Sequence, residues 1–424
     1  MPQSRLYNMV HRILRAMIFT GLFDYASVPG TLDTANNEAI AQEVEEQGAV
    51  LLKNASGLLP LDPSSAIKIA VIGSHADIAV LSGGGSAQVT PIGGTALNEG
   101  DPNPPGWAPV IWDPSSPLNA IKAKAPGATV QYNDGTDATS AASVAASSNL
   151  AIVFVSQWAS EDMDVPSLNF TDMIHSAPVN QDALVSAVAA NPHTIVILEN
   201  GGAQVMPWLA NVSAVLEAWY PGQKGGDAIA NILFGSVNAS GKLPITFPSS
   251  VNDLPRPVIP GWPNPSIQFS VDYTIETLNV GYKWFDAHGV APLFPFGFGL
   301  SYTTFSISNL LLTPNPSPES GFQVGFKLTN TGTRAGAEVV QVYLGLPTST
   351  GEPPKRLVGW SKVSLQPGAQ QHVIVTVDAN DSSHPLSYWD TTTNRWVAAN
   401  GDYTVYVGYS SRDLAVAGTF HVGP

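Results

Sequence analysis

The sequence predicts an α/β fold, a mostly parallel sheet covered by helices on both faces, followed by an antiparallel β-sandwich. Between residues 67 and 219, continuous apolar runs alternate with helix-like stretches, as parallel strands buried on both faces do. Beyond about residue 303 the runs shorten and alternate apolar with polar residues, the pattern of antiparallel strands with one solvated face. A Pro- and Gly-rich passage, 248–265, separates the two regimes. The division these observations suggest is 1–33, 34–247, 248–302 and 303–424.

Taken in order, residues 7–23 come first, with Val10, Ile13, Leu14, Met17, Ile18 and Leu22 at helical spacing and Arg12 and Arg15 opposite. This amphipathic helix needs a partner for its apolar stripe and reads as the tail of another domain. A second helix is expected over 34–47, with Thr34 as N-cap and Glu38 in its first turn. Strand-like runs follow at Ile67–Gly73, Ala128–Tyr132, Leu150–Ser156, Thr194–Glu199 and Ala214–Trp219. Helix-like stretches fall at Pro117–Ala125, Asp137–Ser147, Asn180–Ala190 and Gly225–Phe234. After residue 302, short alternating strands are expected at Phe305–Leu311, Gln323–Asn330, Glu338–Leu344, Lys355–Lys362, Gln371–Val377 and Asp402–Tyr409. Roughly seven short strands in about 120 residues describe an immunoglobulin- or fibronectin-type sandwich.

Composition narrows the function classes. The chain has 424 residues, 44% of them apolar, which supports two or three domains with ample cores. A net charge of −15 with 18 Lys and Arg disfavours nucleic acid as a partner. No run approaches the roughly 18 consecutive apolar residues of a membrane helix. The absence of cysteine excludes disulfides, thiol nucleophiles and thiolate metal sites. The amino terminus lacks the basic-then-apolar order of a signal peptide. The Asn-x-Ser/Thr sequons at Asn54, Asn169, Asn211, Asn238 and Asn380 are accounted for by the abundance of those residues.

Chemistry concentrates at one acidic cluster, Ser160-Glu161-Asp162-Met163-Asp164, directly after an apolar strand. Open α/β sheets present chemistry at such strand ends. The cluster offers a proton donor for a glycosidic oxygen or one member of a carboxylate pair; the competing reading is a solvated loop whose acids cap the next element. Ser82-Gly83-Gly84-Gly85-Ser86 is glycine-rich, but it has neither the G-x-G-x-x-G nor the Walker spacing. It reads as a tight loop approaching a ligand or a neighbouring domain, or as a plain turn. Ser86 lacks the second glycine of a nucleophile elbow, and the 8 histidines show no metal spacing. No cofactor or metal is expected. Glu199 ends another strand and could face the same crevice as Glu161. Trp158, Trp208, Trp219 and Tyr220 lie near strand ends, where aromatic rings stack on sugars or simply fill a core.

Several segments together carry a resemblance. They are Val50-Leu-Leu-Lys-Asn54 with Leu58-Leu-Pro-Leu61, Ile69–Gly73, Gly83–Ser86, Tyr220-Pro-Gly-Gln223, Asn238–Pro244 and Phe294-Pro-Phe-Gly-Phe-Gly-Leu-Ser-Tyr302. In this order they resemble the carboxyl-terminal half of glycoside hydrolase family 3, the β-glucosidase and β-xylosidase family. Val10–Met17 with Gly21–Asp24 looks like that family's last barrel helix. The resemblance implies an α/β sandwich and a fibronectin type III-like domain after a TIM barrel that carries an Asp nucleophile. It implies that Glu161 is the general acid/base, since Ser160, Glu161 and Asp164 match the family's Ser-Glu-Gly-x-Asp-Arg loop, while Asp162 and Val165 depart from it. Asp164, Gly84, Gly85, Ser86 and Trp158 are then expected to line the substrate site, and two carboxylate neighbours would raise the pKa of Glu161. The implied reaction is retaining hydrolysis of a terminal β-linked sugar, with glucose ahead of xylose or N-acetylglucosamine. A β-glucoside or oligosaccharide is the implied substrate, and polysaccharide degradation in a secreted or periplasmic setting the implied role. The nucleophile is expected from a barrel domain or second polypeptide. A non-catalytic remnant that binds carbohydrate or protein is the alternative.

Overall fold

The computed structural model describes residues 1–25, 30–86, 88, 89, 91, 112, 113, 115–161, 165, 167–170, 180–259, 261, 270–313, 316, 317 and 320–423. It contains two compact units, 1–38 and 39–424. In the first, helix α1 (Gln3–Phe19) has no buried residue, and Leu6, Val10, Ile13, Leu14 and Ile18 stay exposed. Helix α2 (Thr34–Gly48) starts one residue after its cap. The Asp33 carboxylate, rather than the expected Thr34 hydroxyl, accepts from the Asn36 amide at 3.1 Å.

The α/β layer follows. Its strands are β1 (Val50–Asn54), β2 (Lys68–Ile72), β3 (Ala79–Val80), β4 (Trp112–Asp113), β5 (Thr129–Asn133), β6 (Leu150–Gln157), β7 (Thr194–Asn200) and β8 (Ala214–Glu217). Its helices are α3 (Pro117–Lys124), α4 (Ala138–Ala146), α5 (Gln181–Val188) and α6 (Gly225–Leu233). Ser116, Asp137 and Asn180 cap α3, α4 and α5 by accepting from backbone amides of the first turn. The main sheet runs β1-β8-β7-β6-β2-β5. All neighbours are parallel except β1, which pairs antiparallel with β8. Strand β6 is buried along its whole length, as its unbroken apolar run requires.

Alternate strand residues feed two cores. Ile69, Val71, Ile152, Phe154, Ile195, Ile197 and Leu216 pack against Leu118 and Ile121 of α3 and Ile229, Ile232 and Leu233 of α6. Ala70, Ile72, Val153, Val155, Val196 and Leu198 pack against Ala141, Leu184, Val185 and Val188 of α4 and α5. The chain winds from β2 outward to β5, then returns past β2 to lay down β6, β7 and β8. The direction of winding therefore changes between β2 and β6. In doubly wound sheets that is where ligands bind, outside the carboxyl ends of the strands.

A short helix, α7 (Tyr282–Ala287), precedes the second sandwich. Strands β9 (Phe305–Leu312), β10 (Phe322–Asn330) and β13 (Gln370–Val377) form one sheet in the order β13-β10-β9. Strands β11 (Gly336–Gly345), β12 (Arg356–Leu365), β16 (Gly401–Gly408) and β17 (Leu414–Val422) form the other, β12-β11-β16-β17. A hairpin of β14 (Tyr388–Asp390) and β15 (Arg395–Val397) stands apart. Phe322, Val324, Phe326, Val340, Val342, Val373, Val375, Tyr403 and Val405 fill the space between the sheets. The α/β architecture with a following antiparallel sandwich matches the fold class read from the sequence.

Three ion pairs made by two buried carboxylates tie this sandwich to the preceding segments. Lys242 meets Glu338 at 2.6 Å, and Asp286 of α7 takes Lys355 at 2.6 Å on one oxygen and the Arg412 Nε at 3.0 Å on the other. Asp286 is only 4% exposed. Its loss strands two cations, one of them well buried, a change that costs on the order of 3 kcal/mol. Asp286→Ala is therefore expected to lower the thermal unfolding midpoint by several degrees, measured by calorimetry, whereas an exposed-carboxylate control such as Asp378→Ala leaves it within about a degree.

Candidate active site

The two strands that flank the change of winding send their exits to one place. Beyond β2 lies the glycine loop at 83–86, and beyond β6 lies the 158–161 loop. Gly84 and Ser160 form a parallel bridge. The Gly84 amide donates to the Ala159 carbonyl at 2.9 Å, and the Glu161 amide reaches the Gly84 carbonyl at 3.4 Å. The loops thus extend the β2–β6 pairing by a short distance beyond the sheet.

Close approach explains the glycines. A side chain at Gly84 would collide with the Trp158 ring and the Ser160 hydroxyl. At Gly85, φ is +91°, and an added Cβ would lie 2.5 Å from the Glu161 Cβ. That backbone turn aims the next residue at the acid. The Ser86 amide donates to Glu161 Oε2 at 2.9 Å and the Ser86 hydroxyl donates to the same oxygen at 2.5 Å. The pKa of Glu161 is consequently lowered, chiefly by the Ser86 hydroxyl and next by its amide. This reverses the upward shift expected from crowded carboxylates. The sequence showed Asp162 and Asp164 beside Glu161, but not that two donors arrive from 75 residues earlier in the chain.

Gly84, Gly85, Ser86 and Glu161 are thus brought together. Trp158 lies against the glycine loop, 8% exposed, with its indole N–H buried and without a hydrogen-bond partner among the described residues. Asp164 lies outside the described residues. Tyr220 is a supporting residue that its strand-end position alone did not single out. Its hydroxyl donates to the Gln157 carbonyl at 2.9 Å and accepts from the Ala159 amide at 2.8 Å, bracing the 158–161 loop from β8's exit. Burial pushes its phenol up to about 12, so it keeps its proton and both bonds. At the start of the loop, Gln181 grips Ser156 through both its amide and its carbonyl, at 2.9 and 2.7 Å.

Glu199 does not share the crevice with Glu161. It is fully buried, both carboxyl oxygens lack hydrogen-bond partners among the described residues, and it interacts electrostatically with Glu45 and Glu217. The Val80 amide offsets a little of the cost without closing a hydrogen bond. Glu217 Oε1 accepts the amide of Trp219 at 2.9 Å, holding a bulky residue at φ +51° in the left-handed region. Burial, reinforced at Glu45 and Glu217 by carboxylate repulsion, raises the pKa of all three glutamates. Among the described residues, no group of three or more His, Cys, Asp or Glu is arranged to hold a metal ion, and no helix is long and apolar enough to cross a membrane.

Residues 49–302 match the glycosyl hydrolase family 3 C-terminal domain, and residues 338–411 match a fibronectin type III-like domain. The chain belongs to glycosyl hydrolase family 3. It is 34% identical over 99% of its length to the protein named Probable beta-glucosidase L of Aspergillus fumigatus, spanning 59% of that relative. It is 33% identical over 98% of its length to Thermostable beta-glucosidase B of Acetivibrio thermocellus, spanning 52% of it. The crystal structure of DesR, a beta-glucosidase from Streptomyces venezuelae in complex with D-glucose, superposes with a TM-score of 0.83 at 30% identity, covering 100% of this chain and 65% of that one. The chain thus spans between half and two thirds of the length of each of these three relatives.

The buried glutamates make a pH test. Their folded pKa values lie above the unfolded values, so their contribution is fully present below about pH 4.5 and is lost as pH rises toward the folded values. The unfolding midpoint is expected to fall over that rise. Glu199→Gln, which keeps the shape and removes the titration, is expected to flatten the fall when melts are followed by circular dichroism from pH 4.5 upward.

Proposed function

We propose that this chain supplies the acid/base portion of an exo-acting retaining β-glycosidase that hydrolyses terminal β-linked glucose. One observation carries the reading: Glu161 stands solvent-exposed at the change of winding, with its carboxylate held by a loop from the adjacent strand. The names of the relatives favour glucose over xylose or N-acetylglucosamine.

Retaining hydrolysis needs two carboxyl groups about 5–5.5 Å apart, one to protonate the leaving oxygen and one to attack the anomeric carbon. Glu161 takes the first role. It donates its proton as the glycosidic bond breaks, then removes a proton from the water that releases the sugar. The nucleophile comes from polypeptide beyond these 424 residues, in a barrel of the kind the family resemblance implies. Enclosure by that barrel removes water from Glu161 and raises its pKa, countering the Ser86 donors and keeping a fraction protonated at working pH.

The 424-residue chain alone is expected to release no aryl alcohol from an aryl β-glucoside, and activity is expected to appear when a family 3 barrel half is co-expressed. In the complemented enzyme, Glu161→Gln is expected to lower kcat about 10²- to 10⁴-fold on substrates with poor leaving groups. Robust hydrolysis by the chain alone defeats the shared-site reading, and full activity of the glutamine variant on poor leaving groups defeats the assignment of Glu161.

A further inference from the structure

Both Ser86 donors converge on one oxygen of Glu161. Oε2 receives the amide at 2.9 Å and the hydroxyl at 2.5 Å, while Oε1 has no hydrogen-bond partner among the described residues. The hydroxyl distance is that of a charge-assisted bond to a carboxylate. Because both donors belong to one residue, they tie Oε2 to a single point of the glycine loop. The geometry of Gly85 makes this possible, since its φ of +91° is open to glycine and the space where its side chain would stand is filled by Glu161. No described charged side chain joins Ser86 in favouring the Glu161 carboxylate; Asp162 and Asp164 lie outside the described residues.

We propose that Ser86 is the positioning residue of the acid/base: it anchors Oε2 and leaves Oε1 as the oxygen that gives up and regains the proton. This rests on the reading of Glu161 given above. In the first half-reaction the proton on Oε1 passes to the leaving oxygen as that oxygen's bond to the anomeric carbon breaks and the bonding pair stays on it. The second carboxylate of the retaining pair supplies the electron pair that forms the new bond to carbon. The negative charge left on Glu161 is met by two donors already in place, without reorganisation. Ser86 therefore holds Glu161 with Oε1 free to meet the leaving oxygen, and losing that orientation costs most where the leaving group depends most on protonation.

The carboxyl carbons of the glutamate-labelled chain, followed by ¹³C NMR with Glu161→Gln to identify the resonance, report the anchor without any catalysis. Ser86→Ala is expected to move the Glu161 titration to higher pH, Ser86→Thr to leave it in place, and Gly85→Ala to move it upward by displacing the amide. In the barrel-complemented enzyme, Ser86→Ala is expected to lower kcat/KM about tenfold on alkyl β-glucosides and less than about twofold on nitrophenyl β-glucosides. An unmoved titration in Ser86→Ala overturns the anchor. A moved titration with equal losses on both substrates upholds the anchor and overturns Glu161 as acid/base, so the two failures are told apart.

Discussion

Parallel strands can be added to a sheet on either side, and where the chain changes sides two neighbouring strands send their exits apart over a gap. In this protein the change falls between β2 and β6, and the gap is narrowed again by backbone hydrogen bonds between Gly84 and the 159–161 segment. Everything proposed for the site depends on that contact. It requires glycine at 84 because the Trp158 ring and the Ser160 hydroxyl occupy the space a side chain would take, and glycine at 85 because the chain must turn with positive φ against Glu161. Once the two loops meet, the Ser86 donors have one carboxylate oxygen within reach.

The loop pair is supported from below as well as from its side. Tyr220 spans Gln157 and Ala159 with one hydroxyl, and Gln181 holds the backbone of Ser156 by both ends of its amide. These groups fix a segment that would otherwise leave the sheet with unpaired backbone polar groups. The neighbouring exits of β7 and β8 are built differently, with Glu199 and Glu217 buried in protonation-favouring surroundings next to Glu45. Two kinds of carboxyl group thus sit at the ends of adjacent strands, one exposed and anionic, the others buried with raised pKa values. Environment rather than residue type separates them.

Much of the architecture was legible in the chain. The apolar runs of β2, β6, β7 and β8 announced buried strands because a strand covered on both faces has no polar side to show. Strand β1 was not recognised as one: it joins the sheet antiparallel, through pairing with β8 more than 150 residues away, and local pattern carries no trace of such a partner. Strand β17 escaped because Ala415, Ala417 and Gly418 dilute its alternation, with Phe420 its one buried side chain. At α2 the sequence offers two adjacent acceptors, Asp33 and Thr34, and only the backbone geometry makes Asp33 the cap.

By itself, the sequence determined the order of layers, the family to which the chain belongs and the identity of the candidate acid, because these follow from short-range periodicity and from the order of short motifs along one chain. Only the tertiary structure decided which groups surround that acid. It turned an expected upward pKa shift into a downward one by bringing Ser86 from another strand's exit, placed Trp158 against the loop and withdrew Glu199 into the interior. The reason is the range of the interactions: hydrophobic periodicity is written in neighbouring residues, whereas a carboxylate's charge state is set by whatever donors, water and charges lie within a few ångströms, wherever in the chain they come from.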